Sequence, residues 1–211
     1  MLAVAGGKGG CGKTTTALAL GAALADETVV VDVDRDMPNL HAMAGVAREP
    51  TAAAGVAPQR VDAGVSVLPA PPPSTSDAAV TTILSRIEQE TDARLLVDCP
   101  GGAGPDAAAP LSAASEAVLV STACAPSLRD AAKTAAMARA LGCRIRGVVL
   151  ARTTVAPDGV ESLLDCPVLG VVPNVADPVL SDERVRRAYA DVAARMGPLE
   201  APSDGEFSTT E

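Results

Sequence analysis

The chain has 211 residues, 48% of them hydrophobic, and a formal net charge of −9. That length suits one domain with a sizeable core, and the acidic balance opposes a nonspecific hold on nucleic acid. With Tyr189 and Phe207 as its only aromatics, the chain is also excluded from reading single strands mainly by base stacking.

In chain order, an apolar run at 1–6 leads into a glycine-rich loop and a helix over 14–25, and the next strand covers 28–34. A strand at 65–70 follows, then a proline-rich connection at 70–77, a helix over 78–90 and a strand at 93–100. Beyond these, strands are predicted at 116–122, 145–151 and 167–173, with helices over 128–141 and 182–196. The strands are near-continuously apolar rather than alternating, as expected where both faces are covered. Their alternation with helices predicts an α/β fold, doubly wound, with a mainly parallel sheet and helices on both faces. Residues 1–196 form the expected domain, and the polar, acidic stretch 197–211 is expected to be a disordered tail.

The longest apolar run, 17–25, falls short of the roughly 20 residues of a membrane span, no signal peptide precedes it, and a cytoplasmic location is expected. Cys11, Cys99, Cys124, Cys143 and Cys166 are scattered, without a C-x-x-C pair and with His41 as the sole histidine. Neither a disulfide framework nor a zinc site fits, and most of these cysteines are expected to be small buried hydrophobes. Arg184, Arg186 and Arg187 read as the solvated face of the last helix.

The chemistry concentrates in "GKGGCGKT", 7–14, which fits G-x-x-x-x-G-K-[ST] between a strand and a helix. In such a loop Gly7, Gly9, Gly10 and Gly12 let successive backbone N–H groups, including that of Cys11, curl around phosphate oxygens. Lys13 reaches the β/γ-phosphates, the Thr14 hydroxyl can ligate Mg²⁺, and Thr15 can bond an α-phosphate. The chain holds only three lysines against fourteen arginines, and two of the three sit in this loop. Lys8 therefore reads as a functional point charge, with a solvated side chain as the alternative. Asp32 and Asp34, at i and i+2, share one face of a strand end at the C-terminal edge of the sheet, where a cation or a water could be met. An ordinary acidic turn over 34–36 is the competing reading.

Taken together, "KGGCGKTT" at 8–15 resembles the deviant phosphate loop, K-G-G-x-G-K-T-[ST], of the MinD/ParA family of ATPases. "VVVDVDRDMPNL" at 29–40 is similar to that family's D-x-D strand with its following Asn-Leu pair, and "LLVDCPGGAG" at 95–104 to its Asp-ended strand and switch loop. Stretches 125–152 and 170–186 also resemble MinD-type sequence. The resemblance implies ATP and Mg²⁺ as cofactors, with Thr14 and Asp32 near the metal and Asp98 holding it through water. It also implies that Asp34 orients the attacking water and that Lys8 reaches the partner's ATP in a nucleotide-sandwich homodimer. Gly101 and Gly102 would swing amides toward the γ-phosphate. Slow hydrolysis would then switch a protein partner, as yet unidentified, in the spatial positioning of a cellular structure.

Two departures qualify this. Where the family commonly carries Asn-Arg, this chain has Ala151-Arg152, so base contacts are expected from Arg152 and from backbone near Pro173 and Asn174. The acidic end also lacks the basic amphipathic helix of MinD proper, so direct membrane binding by that route is not expected. A non-hydrolysing nucleotide-binding scaffold of the same fold is the alternative function.

Overall fold

A computed structural model describes residues 1–7, 10–24, 26–55, 57–61 and 64–198. Lys8, Gly9 and most of the expected tail, 199–211, lie outside the described residues. The strands are β1 (Leu2–Gly6), β2 (Thr28–Asp32), β3 (Gln59–Arg60), β4 (Val65–Leu68), β5 (Arg94–Gly101), β6 (Glu116–Thr122), β7 (Arg144–Ala151) and β8 (Val168–Val172). Among the described residues they form one sheet in the order β3-β4-β2-β5-β1-β6-β7-β8. All neighbours run parallel except β3, which pairs antiparallel with β4 at the edge.

Alternate residues of each strand feed two cores. Leu2 and Val4 of β1 pack with α1 (Lys13–Ala23) and α7 (Glu183–Met196) on one face. Ala3 and Ala5 look to the other face, which is covered by α3 (Asp77–Glu90), α4 (Pro105–Ala113) and α5 (Ala125–Ala140). There α6 (Val160–Leu164) extends the packing against α5. The helices form where apolar spacing and caps coincide. In α7 the Asp182 carboxylate accepts Arg184 N–H at 2.8 Å, and Val185, Tyr189, Val192 and Met196 recur on the buried stripe. Arg184, Arg186 and Arg187 lie on its exposed face, as expected. In α3 Ser76 caps, and Val80, Leu84 and Ile87 face inward. No helix among the described residues is long and apolar enough to cross a membrane.

The sequence reading is corrected in places. β2 stops at Asp32 rather than at Asp34, because the Asp32 carboxylate takes Asp34 N–H at 2.9 Å and turns the chain out of the sheet. β5 runs on to Gly101, which pairs with Gly6, so Gly101 begins as strand and not as loop. The helices α2 (Leu40–Ala44), α4 and α6 and the edge strand β3 were not anticipated. Most of the cysteines are buried, as expected, and Cys124 is exposed beside the start of α5.

Candidate functional site

The site lies at the C-terminal edge of the central strands, where the loop from β1 climbs into α1. Glycine is required in that loop by space as well as by conformation. A Cβ on Gly7 would stand 2.2 Å from Asp130 Cβ and 2.3 Å from the Asp130 carbonyl carbon, so α5 presses directly on the loop backbone. Gly12 caps α1 at φ 100°, a left-handed conformation that side chains disfavour. The helix that follows has neither a capping side chain nor an acidic residue in its first turn. Its N-terminal N–H groups and dipole are thus available to an anion. Lys13 opens this helix with only 7% of its surface exposed. A nearly buried ammonium at a helix start adds to the local positive field, an arrangement stable only opposite negative charge.

Two buried carboxyl groups lie near it, and the Lys13 charge acts on Asp98. Asp32 and Asp98 stand opposite one another in the register of β2 and β5. Both Asp32 oxygens are used, Oδ1 by Asp34 N–H and Oδ2 by Leu40 N–H at 3.2 Å. Burial nevertheless raises its pKa to about 6, against the pull of those N–H groups. Asp98 rises further, to about 8, through burial first and the Asp32 charge second, while Thr14 and Lys13 act to lower it. The Thr14 hydroxyl has one proton and donates it to Asn39 Oδ1 at 2.9 Å. Asp98 Oδ1 is left without a hydrogen-bond partner. A buried acceptor in that state calls for a water or a cation.

Mg²⁺ fits this donor set. Among the described residues no three His, Cys, Asp or Glu side chains converge on a metal position, and Mg²⁺ does not need them, since it keeps several waters and binds through one or two carboxylates plus substrate phosphates. Thr14, Asp32 and Asp98 are residues that could hold it.

Among the described residues, the other expected site residues follow the C-terminal ends of β1, β2, β7 and β8. Cys11 is buried and Gly10 is exposed. The Thr15 hydroxyl points to Met43 Sδ at 3.6 Å. Asp34 is half-buried, and its Oδ1 accepts Met37 N–H at 3.0 Å, so the acidic-turn geometry exists alongside any catalytic use. Gly102 has φ 101°, donates its N–H to the Gly6 carbonyl at 3.0 Å and accepts from Thr134 Oγ1 at 3.3 Å, tying the loop after Asp98 to β1 and α5. Ala151 ends β7 close to the phosphate loop, 3.5 Å from where a Gly12 Cβ would be. Exposed Arg152 follows at φ 58°, and Pro173 follows β8, the next strand outward.

Two contacts at and below the loop escaped the sequence reading. Asn39 was matched to a family pair but given no part, and it holds the Thr14 hydroxyl. Thr16 Oγ1 and Tyr189 OH, both buried, share a hydrogen bond of 2.8 Å that pins α1 to α7 one turn below Lys13. Burial pushes the Tyr189 phenol up to about 12.

Comparison with known proteins identifies the family and the fold. The signature of the CobQ/CobB/MinD/ParA nucleotide binding domain matches residues 2–193. An uncharacterized ATP-binding protein of Methanocaldococcus jannaschii is 30% identical, over 90% of this chain and 77% of that protein. The cell division ATPase MinD of Pyrococcus furiosus superposes with a TM-score of 0.79 at 24% identity, covering 92% of this chain and 97% of that one. MinD of Pyrococcus horikoshii in complex with Mg-ADP also gives 0.79, at 23% identity over 93% of this chain and 95% of that chain.

Proposed function

Because the chain belongs to the CobQ/CobB/MinD/ParA nucleotide-binding family, we propose that it binds Mg-ATP and forms a homodimer across the nucleotides. Slow hydrolysis of ATP then switches a protein partner, in the spatial positioning of a cellular structure in the cytoplasm. The observation that carries this reading is the near-buried Lys13 at the start of an uncapped helix, above a buried acid pair with one unpaired oxygen.

In this reading the α1 N-terminus and Lys13 take the phosphate charge and stabilise it as it shifts during transfer. Thr14, Asp32 and Asp98 would hold Mg²⁺, which would supply charge neutralisation at the phosphates. Asn39 orients the Thr14 hydroxyl. Asp34 orients the attacking water from the loop after β2, and Lys8 completes the nucleotide site of the second copy. Arg152 and the backbone near Pro173 receive the base.

A phosphate-release assay with Mg-ATP tests the reaction, with Asp34→Ala as the comparison. Turnover in the parent that falls in the variant is expected, and no release above buffer would remove hydrolysis from the account. One feature favours the alternative, a nucleotide-dependent scaffold without turnover: Asp34 Oδ1 is already occupied by Met37 N–H. The same assay separates the two.

A further inference from the structure

Arg35 follows Asp34 directly, in the loop that leaves β2. Its side chain is only 11% exposed. The guanidinium donates to the Thr75 carbonyl and to the Asp77 carboxylate, at the entry to α3. It also donates to Asp106 Oδ1 at 3.2 Å, in the first turn of α4. Neither helix depends on Arg35 for its start, since Ser76 caps α3 with a bond from Ala79 N–H and Pro105 opens α4. Yet this one side chain joins three segments distant in sequence. One contains Asp34, another connects β4 to α3, and the third begins α4 just after the glycine loop that follows Asp98.

The fork geometry matters. A planar guanidinium can engage two carboxylates and a carbonyl at once, which a lysine ammonium on its flexible stem does not reproduce. Asp34 is already tethered through its N–H to Asp32 and through its Oδ1 to Met37. Arg35 adds the tether that crosses to the Asp98 side of the site.

We propose that Arg35 is a positioning residue: by bridging Asp77 and Asp106 it couples the Asp34 loop to the loop after Asp98, so that a nucleotide-driven change in one is carried to the other. The kinetic part of this inference rests on the hydrolytic reading above, whereas the coupling itself does not. A carboxylate that orients a water loses rate steeply when displaced by about 1 Å, while phosphate binding by the loop is unaffected.

The test compares Asp106→Asn, Arg35→Met, Arg35→Lys and the double variant Arg35→Met/Asp106→Asn. Asp106 is half-exposed, so Asp106→Asn should fold even if Arg35→Met does not. Asp106→Asn is expected to lower kcat about fivefold, with ATP affinity by calorimetry within about twofold of the parent. Arg35→Met should lower kcat further, Arg35→Lys should recover part of the loss, and the double variant should be no slower than Arg35→Met alone, since Asp106→Asn acts only by weakening the bridge that Arg35→Met removes. Unchanged kcat in Asp106→Asn, or losses that multiply in the double variant, would overturn the proposal.

Hydrogen exchange of segments 35–39 and 101–106, with ADP and with a slowly hydrolysed ATP analogue, reads the coupling without turnover. Both segments should respond together in the parent, and 35–39 should cease to follow in Asp106→Asn. Independent responses in the parent would refute the coupling even in an active ATPase. A parent that releases no phosphate but shows the linked response would refute hydrolysis alone.

Discussion

Replacing Asp98 by asparagine should remove most of the pH dependence of stability of the metal-free protein between pH 6 and 8. In the native state the Asp98 carboxyl holds its proton up to about pH 8, whereas the unfolded chain releases it near the ordinary value of 3.8. The native state therefore binds a proton that the unfolded state lacks. The stability this contributes is fully present below pH 3.8 and is lost as pH rises through about 8. One such proton changes stability by about 1.4 kcal/mol per pH unit, so from pH 6 to 8, allowing for partial ionisation near the top, the parent should lose about 2 kcal/mol. Asp32, raised to about 6, adds its share mainly below that window. Asparagine keeps the shape of the neutral acid and cannot ionise. In thermal unfolding with EDTA, the parent should fall by about 5 °C more than the variant across this range. Adding Mg²⁺ and ADP should flatten the parent's slope, because the cation takes the proton's place. Equal slopes in parent and variant without metal would refute a buried, protonated Asp98.

Gly7→Ala forces a methyl to within 2.2 Å of Asp130 Cβ, and a shift of loop or helix of this kind costs about 1 to 3 kcal/mol; chemical denaturation should show that loss, and calorimetry a weakened ATP affinity. Tyr189→Phe leaves the buried Thr16 hydroxyl without its 2.8 Å partner, which should destabilise by about 1 to 2 kcal/mol in the same unfolding experiment while ATP affinity stays close to the parent's. Lys13→Ala removes the near-buried cation at the start of α1 and should abolish ATP binding by calorimetry, a loss of several kcal/mol; unchanged affinity would sink the phosphate-loop assignment.

The strands were readable because burial on both faces leaves continuous apolar runs, and β6 occupies 116–122 as expected from sequence. The helix α4 was missed because "PDAAAPLSA" carries an internal Pro110 and buries only Ala107, Pro110 and Leu111, too little for a helical period. The α2 and α6 helices are five residues each, and β3 is a two-residue polar edge, all below the length at which periodicity speaks. "VVVDVD" looks like strand to its last residue, and only the turn made by the Asp32 carboxylate ends it early. Within the site, the glycine loop was legible because its chemistry is written in adjacent residues. The partnerships around it were not, since Asn39 reaches Thr14 across 25 positions and Arg35 reaches Asp106 across 71. The unpaired oxygen of Asp98 exists only once β2 and β5 lie side by side.

The central claim, an ATP-driven pairing of two copies relieved by hydrolysis, is tested most directly by the mass of Asp34→Ala in solution. Light scattering with Mg-ATP should give twice the chain mass of 21.0 kDa, persisting because turnover is blocked, and the single mass with Mg-ADP. The single mass with both nucleotides, at concentrations that saturate binding, would contradict the account.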